Sequence, residues 1–246
     1  MLTFVVISLA AFAGGVLNAA AGGGTFFTLP ALLFIGVSPV SANTTGTVAL
    51  LPGYIASTLG FREDFKEHQD TNLVRILLIS VLGGATGASL LLVTSDDGFR
   101  QLIPWLMLLS TLWFALWPFV QSRMRREGMA GPMATTIGLF LVTVYGGYFN
   151  GGLGIILLAL FNALGYSSLN FMNGLKNAVS AVLTVIAVIV YTMGGTVEWG
   201  YALSMMAAAI IGGYVGARWS RLIPDRILRF GIVLVGAIMT TVFFIW

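Results

Sequence analysis

Residues 18–25 read Asn-Ala-Ala-Ala-Gly-Gly-Gly-Thr (NAAAGGGT) and interrupt an apolar segment that begins at Leu2. Glycine-rich sequence is unexpected where a membrane helix should be most regular, because glycine has the lowest helix propensity after proline. A second interruption, Asn-Gly-Gly-Leu-Gly (NGGLG), occupies residues 150–154. In both places an asparagine is followed by a glycine cluster. The two interruptions therefore have a similar composition although they lie far apart in the chain.

The composition around these interruptions is that of a membrane protein. Of 246 residues, 58% are hydrophobic and only 9% are charged, whereas a soluble domain has about 25% charged residues. Long apolar runs occupy residues 73–94, 102–121, 175–193 and 230–246. Each approaches the roughly 20 residues that a helix needs to cross a bilayer. The runs lack the alternation of a membrane β-barrel, so the sequence predicts an all-α polytopic integral membrane protein.

Several kinds of function are excluded by what the chain lacks. Cysteine is absent, and the single histidine, His68, lies in a charged loop, so no metal site, cofactor or thiol catalysis is predicted. The arginines cluster in short loops rather than in a basic stripe with aromatic residues, which argues against nucleic acid as a partner. All nine acidic residues fall in or beside predicted loops, which argues against a cation substrate and against intramembrane catalysis. No catalytic residue is predicted, and the chain is not expected to be an enzyme.

The chain contains an internal repeat. Gly14-Gly15-x-x-Asn18 matches Gly146-Gly147-x-x-Asn150, with a glycine cluster following each time. Further along, a second set of residues repeats without a gap: Gly83, Gly84, Gly87, Ala88, Asp96 and Arg100 match Gly212, Gly213, Gly216, Ala217, Asp225 and Arg229. Agreement in order over a whole half of the chain is hard to obtain by chance. We therefore predict two transmembrane repeats, 1–121 and 132–246, joined by a cytoplasmic linker at 122–131.

Each repeat is predicted to contain two short half-helices or re-entrant segments followed by three long transmembrane helices. In the first repeat these segments are approximately 2–17, 25–36, 43–61, 73–94 and 99–121. An odd number of crossings in each repeat places the second copy upside down, as in many secondary transporters. The positive-inside rule places residues 95–98 and 194–200 outside the cell and both termini outside as well. The predicted location is the inner membrane, with the lipid bilayer as partner.

Interrupted apolar segments at matching positions of two repeats point to a transporter binding site. The N–H groups at the start of a half-helix, together with the positive end of the helix dipole, favour an anion there. The first interruption supplies Asn18, Gly23, Gly24 and Thr25, and the second supplies Asn150 and Gly152. The alternative is that these small residues only let helices pack closely. An asparagine in both copies favours binding, because packing alone does not require it.

Polar residues also open the next segment of each repeat, at 41–47 (SANTTGT) and 170–177 (NFMNGLKN). One such residue suffices as a helix N-cap. Several are present, so we predict that Asn43, Thr44, Thr47 and Asn177 face a cavity. Lys176 stands at the front of an apolar run, where a charge is costly unless it is paired or hydrated. Either the lysine extends to the membrane interface, or a bound anion is its partner.

The repeated Asp96…Arg100 and Asp225…Arg229 pairs have a structural interpretation. An aspartate before a helix is a common N-cap, and an arginine four residues later can pair with it.

These motifs together resemble the sulfite exporter TauE/SafE family. The resemblance lies in GGVLNAAAGGGTFFTLPALLFIGVSPVSANTTGT (14–47) and its counterpart YGGYFNGGLGIILLALFNALGYSSLNFMNGLKNAVS (145–180). It implies a secondary transporter that exports small sulfur-containing or organic anions, such as sulfite, sulfoacetate or other sulfonates. The second copy has no proline that matches Pro30, and it has fewer hydroxyl groups. The two half-sites are therefore expected to be unequal, with Lys176 supplying the charge.

Two alternatives to a carrier remain open from the sequence. The same residues could line a channel-like anion pore. The protein could instead be a non-transporting membrane scaffold or accessory subunit, in which the glycines only pack helices. A homodimer is compatible with each of these interpretations.

Overall fold

The computed structural model describes residues 2–61, 63–65, 72–124, 131–219 and 225–245, and all regular structure in these ranges is helical. The helices, in chain order, are α1 (Leu2–Ala21), α2 (Thr25–Phe34), α3 (Pro39–Gly60), α4 (Leu73–Val93), α5 (Asp96–Met124), α6 (Pro132–Tyr148), α7 (Leu153–Ala163), α8 (Leu169–Met193), α9 (Trp199–Trp219) and α10 (Asp225–Ile245). The side chains of Asp225 and Arg229, most of the predicted linker 122–131 and most of the charged loop 62–70 lie outside the described residues.

The first segment of the chain is longer than the sequence predicts. Helix α1 has 20 residues and continues through Asn18, because the three alanines that follow are the strongest helix formers. The interruption is thus reduced to residues 22–24, and α2 and α7, with 10 and 11 residues, are the shortest of the described helices, followed by α6 with 17. Among the described residues, α1, α4, α8 and α9 are long and apolar enough to cross a membrane. At 1.5 Å per residue, α2 and α7 reach only about 15 Å.

Glycines bring the helices into close contact at two places. On α9, a Cβ added to Gly216 would lie 2.5 Å from Val16 Cα of α1, and Gly212 lies against Phe12. On α4, Gly87 lies against the carbonyl oxygen of Val144 of α6 in the same way. Residue numbers rise together along the contact of α1 with α9. The two helices are therefore parallel and close enough for their backbones to touch.

One end of the bundle is identified by hydrogen bonds to the first turns of α3. The N–H of Val40 donates to Asp96 Oδ1 (2.9 Å), and Thr44 Oγ1 donates to the carbonyl oxygen of Thr196 (2.9 Å). Residues 95–98 and 194–200 therefore lie at the same end. At the opposite end, Gly174 near the start of α8 lies against Phe61, just after α3. Helices α3 and α8 thus run antiparallel.

The capping role expected of Asp96 is filled by a neighbour. Ser95 Oγ accepts the N–H of Gly98 (3.1 Å) and caps α5. Asp96 instead caps α3, through its bond to Val40. The prediction of an Asp96 cap on its own helix is therefore wrong, because a serine directly before the helix already fills that position.

The outer surface suits a bilayer. On α4, Val74, Leu78 and Leu82 form an exposed stripe, each more than half exposed (69%, 59% and 62%). Ser80, Gly84 and other small residues of the same helix are buried on its opposite face. An apolar stripe of this kind is costly in water and favourable against lipid tails. The apolar side chains of α4 therefore face lipid, and its small and polar residues face the interior of the bundle.

Candidate functional site

The two interruptions meet inside the bundle. Gly22 has φ +79°, and a Cβ added to it would lie 2.6 Å from Gly154 Cα. The second interruption contains Asn150 and Gly152 with φ 64° and 73°. A left-handed backbone of this kind is easy for glycine and costly for most other residues. The breaks are therefore in backbone contact, although more than half the chain separates them.

Both short helices begin without a side-chain cap. Helices α2 and α7 have Gly24 and Gly152 at the capping position. The first backbone bonds of these helices run from Phe26 N–H to the carbonyl oxygen of Gly23 (3.1 Å) and from Leu153 N–H to that of Asn150 (3.3 Å). The N–H groups of a first helical turn have no acceptor within the helix, and they carry the positive end of its dipole. Gly23, Gly24, Thr25 and Gly152 are all buried, so these starts lie in the protein interior.

Tyrosines and a serine hold the second interruption in place. Ser110 Oγ donates to the carbonyl oxygen of Gly151 (2.8 Å), which also accepts from Tyr145. Tyr191 donates to the carbonyl oxygen of Gly147, and the hydroxyl of Tyr54 donates to Asn150 Oδ1 (3.2 Å). Sequence reasoning missed these four supporting residues. The available signal was a hydroxyl group within an otherwise apolar helix.

Three predicted asparagines are buried with unused hydrogen-bonding capacity. Among the described residues, Asn18 Oδ1, Asn43 Oδ1 and Asn150 Nδ2 have no partner. Asn43 is held from its other side, where Nδ2 donates to the carbonyl oxygen of Tyr148 (3.0 Å). Asn18 lies within α1, about one turn before the break, and lines a small cavity of about 10 Å³ with Gly53 of α3. Buried amide groups without partners are rare, and they are typical of sites that bind a ligand or water.

The threonines divide into two groups. Thr44 is bonded to the carbonyl oxygens of Ser41 and Thr196, which ties α3 to the connection between α8 and α9. Thr47 is buried, and its hydroxyl has no partner among the described residues. The same holds for Thr28 of α2, which the sequence argument did not select. The hydroxyls of Thr47 and Thr28 are therefore available to a ligand, whereas the hydroxyl of Thr44 is used in hydrogen bonds that support the fold.

Lys176 is only 1% exposed, so it does not extend to the membrane interface. Among the described residues its Nζ has one partner, Asn173 Oδ1, at 3.2 Å. Asn173 is a residue that the sequence argument quoted but did not select. An amide oxygen does not neutralise the ammonium charge, so within the described part of the chain the lysine has no paired anion of the kind that a buried cation needs.

The predicted site residues do not gather in one pocket. Lys176 and Asn177 follow Gly174, close to the level of Phe61, whereas Asn43 lies near the opposite end of α3. At 1.5 Å per residue, Asn43 and Lys176 are about 24 Å apart along the bundle axis. The helix breaks lie between them, because Asn43 contacts Tyr148 and Tyr54 contacts Asn150. The arrangement is a polar interior that extends along the bundle rather than a single compact site.

Metal binding has no support in the part of the chain that the structure describes. No group of three or more histidine or acidic residues there could hold an ion. The described carboxylates lie at helix ends or in connections, at Glu63, Asp64, Asp96, Asp97 and Glu198.

A helical bundle with an apolar outer surface and two short helices that meet in a polar interior defines the class of polytopic membrane transporters. The chain belongs to the sulfite exporter TauE/SafE family, whose profile matches residues 7–243. It is 27% identical over 236 residues to the probable membrane transporter protein YfcA of Escherichia coli K12, covering 96% of this chain and 87% of that protein. It is also 27% identical over 237 residues to a probable membrane transporter protein of Haemophilus influenzae, covering 93% and 89%. No solved structure matches the chain.

Proposed function

We propose that this protein is a secondary transporter that exports small sulfur-containing or organic anions, such as sulfite, sulfoacetate or other sulfonates, across the bacterial inner membrane. The observation that carries the proposal is the contact between Gly22 and Gly154, where two uncapped helix starts meet in the buried interior. Helix starts attract anions through free N–H groups and the helix dipole. Asn150 Nδ2, a buried donor without a partner among the described residues, adds a further N–H group.

The charges of the interior support an anion rather than a cation. Lys176 is buried beside a neutral partner, and the described carboxylates lie outside the helix interiors. A cation transporter commonly places a carboxylate inside the membrane, where it binds the ion. An oxyanion would neutralise the charge of the lysine through one oxygen, and the other oxygens of the anion would accept hydrogen bonds from N–H and O–H donors.

Transport would proceed by alternating access of two inverted halves, 1–121 and 132–246. The directions of the helices support this arrangement. Helices α3 and α8, third in their halves, are antiparallel, and close contacts through glycines join α1 to α9 and α4 to α6. Under the proposal α1 corresponds to α6 and α9 to α4, so each contact repeats the other. The N- and C-termini would then lie outside the cell.

Reconstitution tests the proposal. Purified protein in liposomes should take up radiolabelled sulfite or sulfoacetate with saturation, and trapped unlabelled anion should accelerate uptake by counterflow. Thr86→Ala is a suitable control variant, because Thr86 bonds only within α4 on an exposed face. Ohmic single-channel current without counterflow would instead show a pore. Absence of any anion flux would support the scaffold interpretation.

A further inference from the structure

Serines and threonines within the helices of this protein usually bond to their own helix. Each donates its hydroxyl hydrogen to the carbonyl oxygen four residues earlier, which is a common local solution for these side chains. The residues that do so include Thr58, Ser80, Thr86, Thr111, Thr143, Thr192 and Thr241. A buried hydroxyl in a helix therefore has a partner within reach, and one that forgoes it requires an explanation.

Ser180 and Thr184 of α8 forgo that partner. They are 1% and 0% exposed, and their hydroxyl oxygens have no hydrogen bond among the described residues. Both lie in the middle of a membrane-spanning segment, far from the water at either membrane surface. The hydrogen-bonding capacity of the two hydroxyls is therefore left unused within the described structure.

These residues continue a stripe that begins at Lys176. Positions 176, 180 and 184 are four residues apart, so they lie on one face of α8 in successive turns. Tyr191 is seven residues beyond Thr184 and falls on the same face. Its hydroxyl donates to the carbonyl oxygen of Gly147, at the end of α6. This face of α8 thus looks towards the second helix break.

We propose that Lys176, Ser180 and Thr184 form an anion path along α8, in which the ammonium group attracts an oxyanion and the two hydroxyls bind its oxygens in turn. The inference rests on the proposed function and extends its site to Ser180 and Thr184. The ligand class is an oxyanion with at least two acceptor oxygens, such as sulfite or a sulfonate, because one oxygen faces the charge while another accepts from a hydroxyl. Thr47 of α3, which is also buried without a partner, would serve the same path from the neighbouring helix.

The absence of cysteine makes this path directly testable. Ser180→Cys and Thr184→Cys would each provide a single thiol in reconstituted protein. They would be treated with anionic sulfonatoethyl methanethiosulfonate or with the cationic trimethylammonium-ethyl reagent. Both positions should react, and the anionic reagent should react about tenfold faster because a positively charged path concentrates anions. Added Lys176→Met should remove this preference, and sulfoacetate should slow the reaction.

Two control variants separate the path from general accessibility. Thr143→Cys replaces a buried, back-bonded hydroxyl on α6, and Thr240→Cys replaces a buried hydroxyl without a partner on α10. Both should stay unmodified. If Ser180→Cys and Thr184→Cys are as unreactive as these two controls, the path is overturned. Equal rates with the two reagents would overturn its anion selectivity. If the anionic reagent reacts faster but neither sulfonates nor carboxylates slow its reaction, the path is supported and the substrate class of the proposed function is contradicted.

Discussion

Asn150 is the residue whose backbone and side chain are both unusual. Its φ of 64° is the one positive value at a non-glycine residue among those described, and this conformation costs roughly 1–2 kcal/mol for an L-residue. The side chain accepts from Tyr54, and its Nδ2 has no partner. Asn150→Gly should therefore keep or raise the thermal stability, because glycine removes the strain, yet it should lower anion flux. Melting temperature and proteoliposome flux measure the two effects.

Asn150→Ala separates strain from binding in the same experiment. Both variants lose the bond to Tyr54, but only alanine keeps the strained conformation, so Asn150→Ala should be less stable than Asn150→Gly by about 1 kcal/mol or more. Flux at the normal rate in the glycine variant would mean that the Asn150 side chain does not contact substrate.

Lys176 gives a second prediction, in which function is lost and stability is retained. Lys176→Ala should abolish sulfite or sulfonate flux while the protein still folds, because among the described residues the buried ammonium group has a neutral amide as its one partner. Removing an uncompensated buried charge relieves a desolvation penalty of several kcal/mol, which offsets the lost packing of the side chain. Flux and melting temperature should be measured together, with Thr86→Ala as control. Undiminished flux would remove Lys176 from the mechanism.

The individual site residues could be predicted only where the sequence itself is unusual. The glycine clusters, the asparagines beside them and Lys176 stand out in an apolar chain, and the structure buries them all. Tyr54, Ser110 and Tyr191 could not be selected, because their partners lie 96, 41 and 44 residues away. Ser180 and Thr184 differ from other helical hydroxyls only in a missing bond, which a sequence does not record.

The helices themselves followed from hydropathy, and their ends did not. The alanines after Asn18 extend α1 by local propensity, which a search for polar interruptions overlooks. Aspartate is a common N-cap residue, but Asp96 Oδ1 accepts the N–H of Val40 of α3, 56 residues away. Capping partners are chosen by tertiary proximity as well as by adjacency, so the element that a cap serves requires the fold.

Replacing a glycine by alanine should cost more stability where the glycine lies at a helix contact than where it faces open space. Gly87 of α4 lies against the carbonyl oxygen of Val144, whereas Gly231 of α10 has nothing within 4 Å of an added Cβ. Gly87→Ala should destabilise the protein by about 1–3 kcal/mol, because the helices must separate. Gly231→Ala should be neutral or stabilising by up to about 1 kcal/mol, since alanine favours the helix. Thermal unfolding in detergent measures both, and equal effects would show that α4 and α6 do not pack as described.

At the scale of the whole molecule, the two glycine-rich breaks were visible in the sequence and their contact with each other was not. Matching glycines predicted two breaks, but their contact at Gly22 and Gly154 depends on how the halves pack. The spread of the site residues along the bundle likewise follows from the antiparallel course of α3 and α8. Sequence spacing orders residues along one helix and leaves the relative level of two helices undetermined.

The orientation of the molecule gives the last prediction. The proposed topology places the N-terminus and residues 95–98 outside the cell, and residues 122–131 inside. Thr3→Cys and Asp97→Cys should therefore react with a membrane-impermeant maleimide in right-side-out vesicles, and Gly131→Cys should react only in inverted vesicles. Asp97 and Gly131 are exposed, so failure to react reports sidedness rather than burial. If Thr3→Cys and Asp97→Cys both react only from the inside, the fold is retained but its orientation in the membrane is the reverse of the proposed one. If the two react from opposite sides, α1 and α5 cannot both begin at one face of the membrane, and the inverted arrangement of the two halves is wrong.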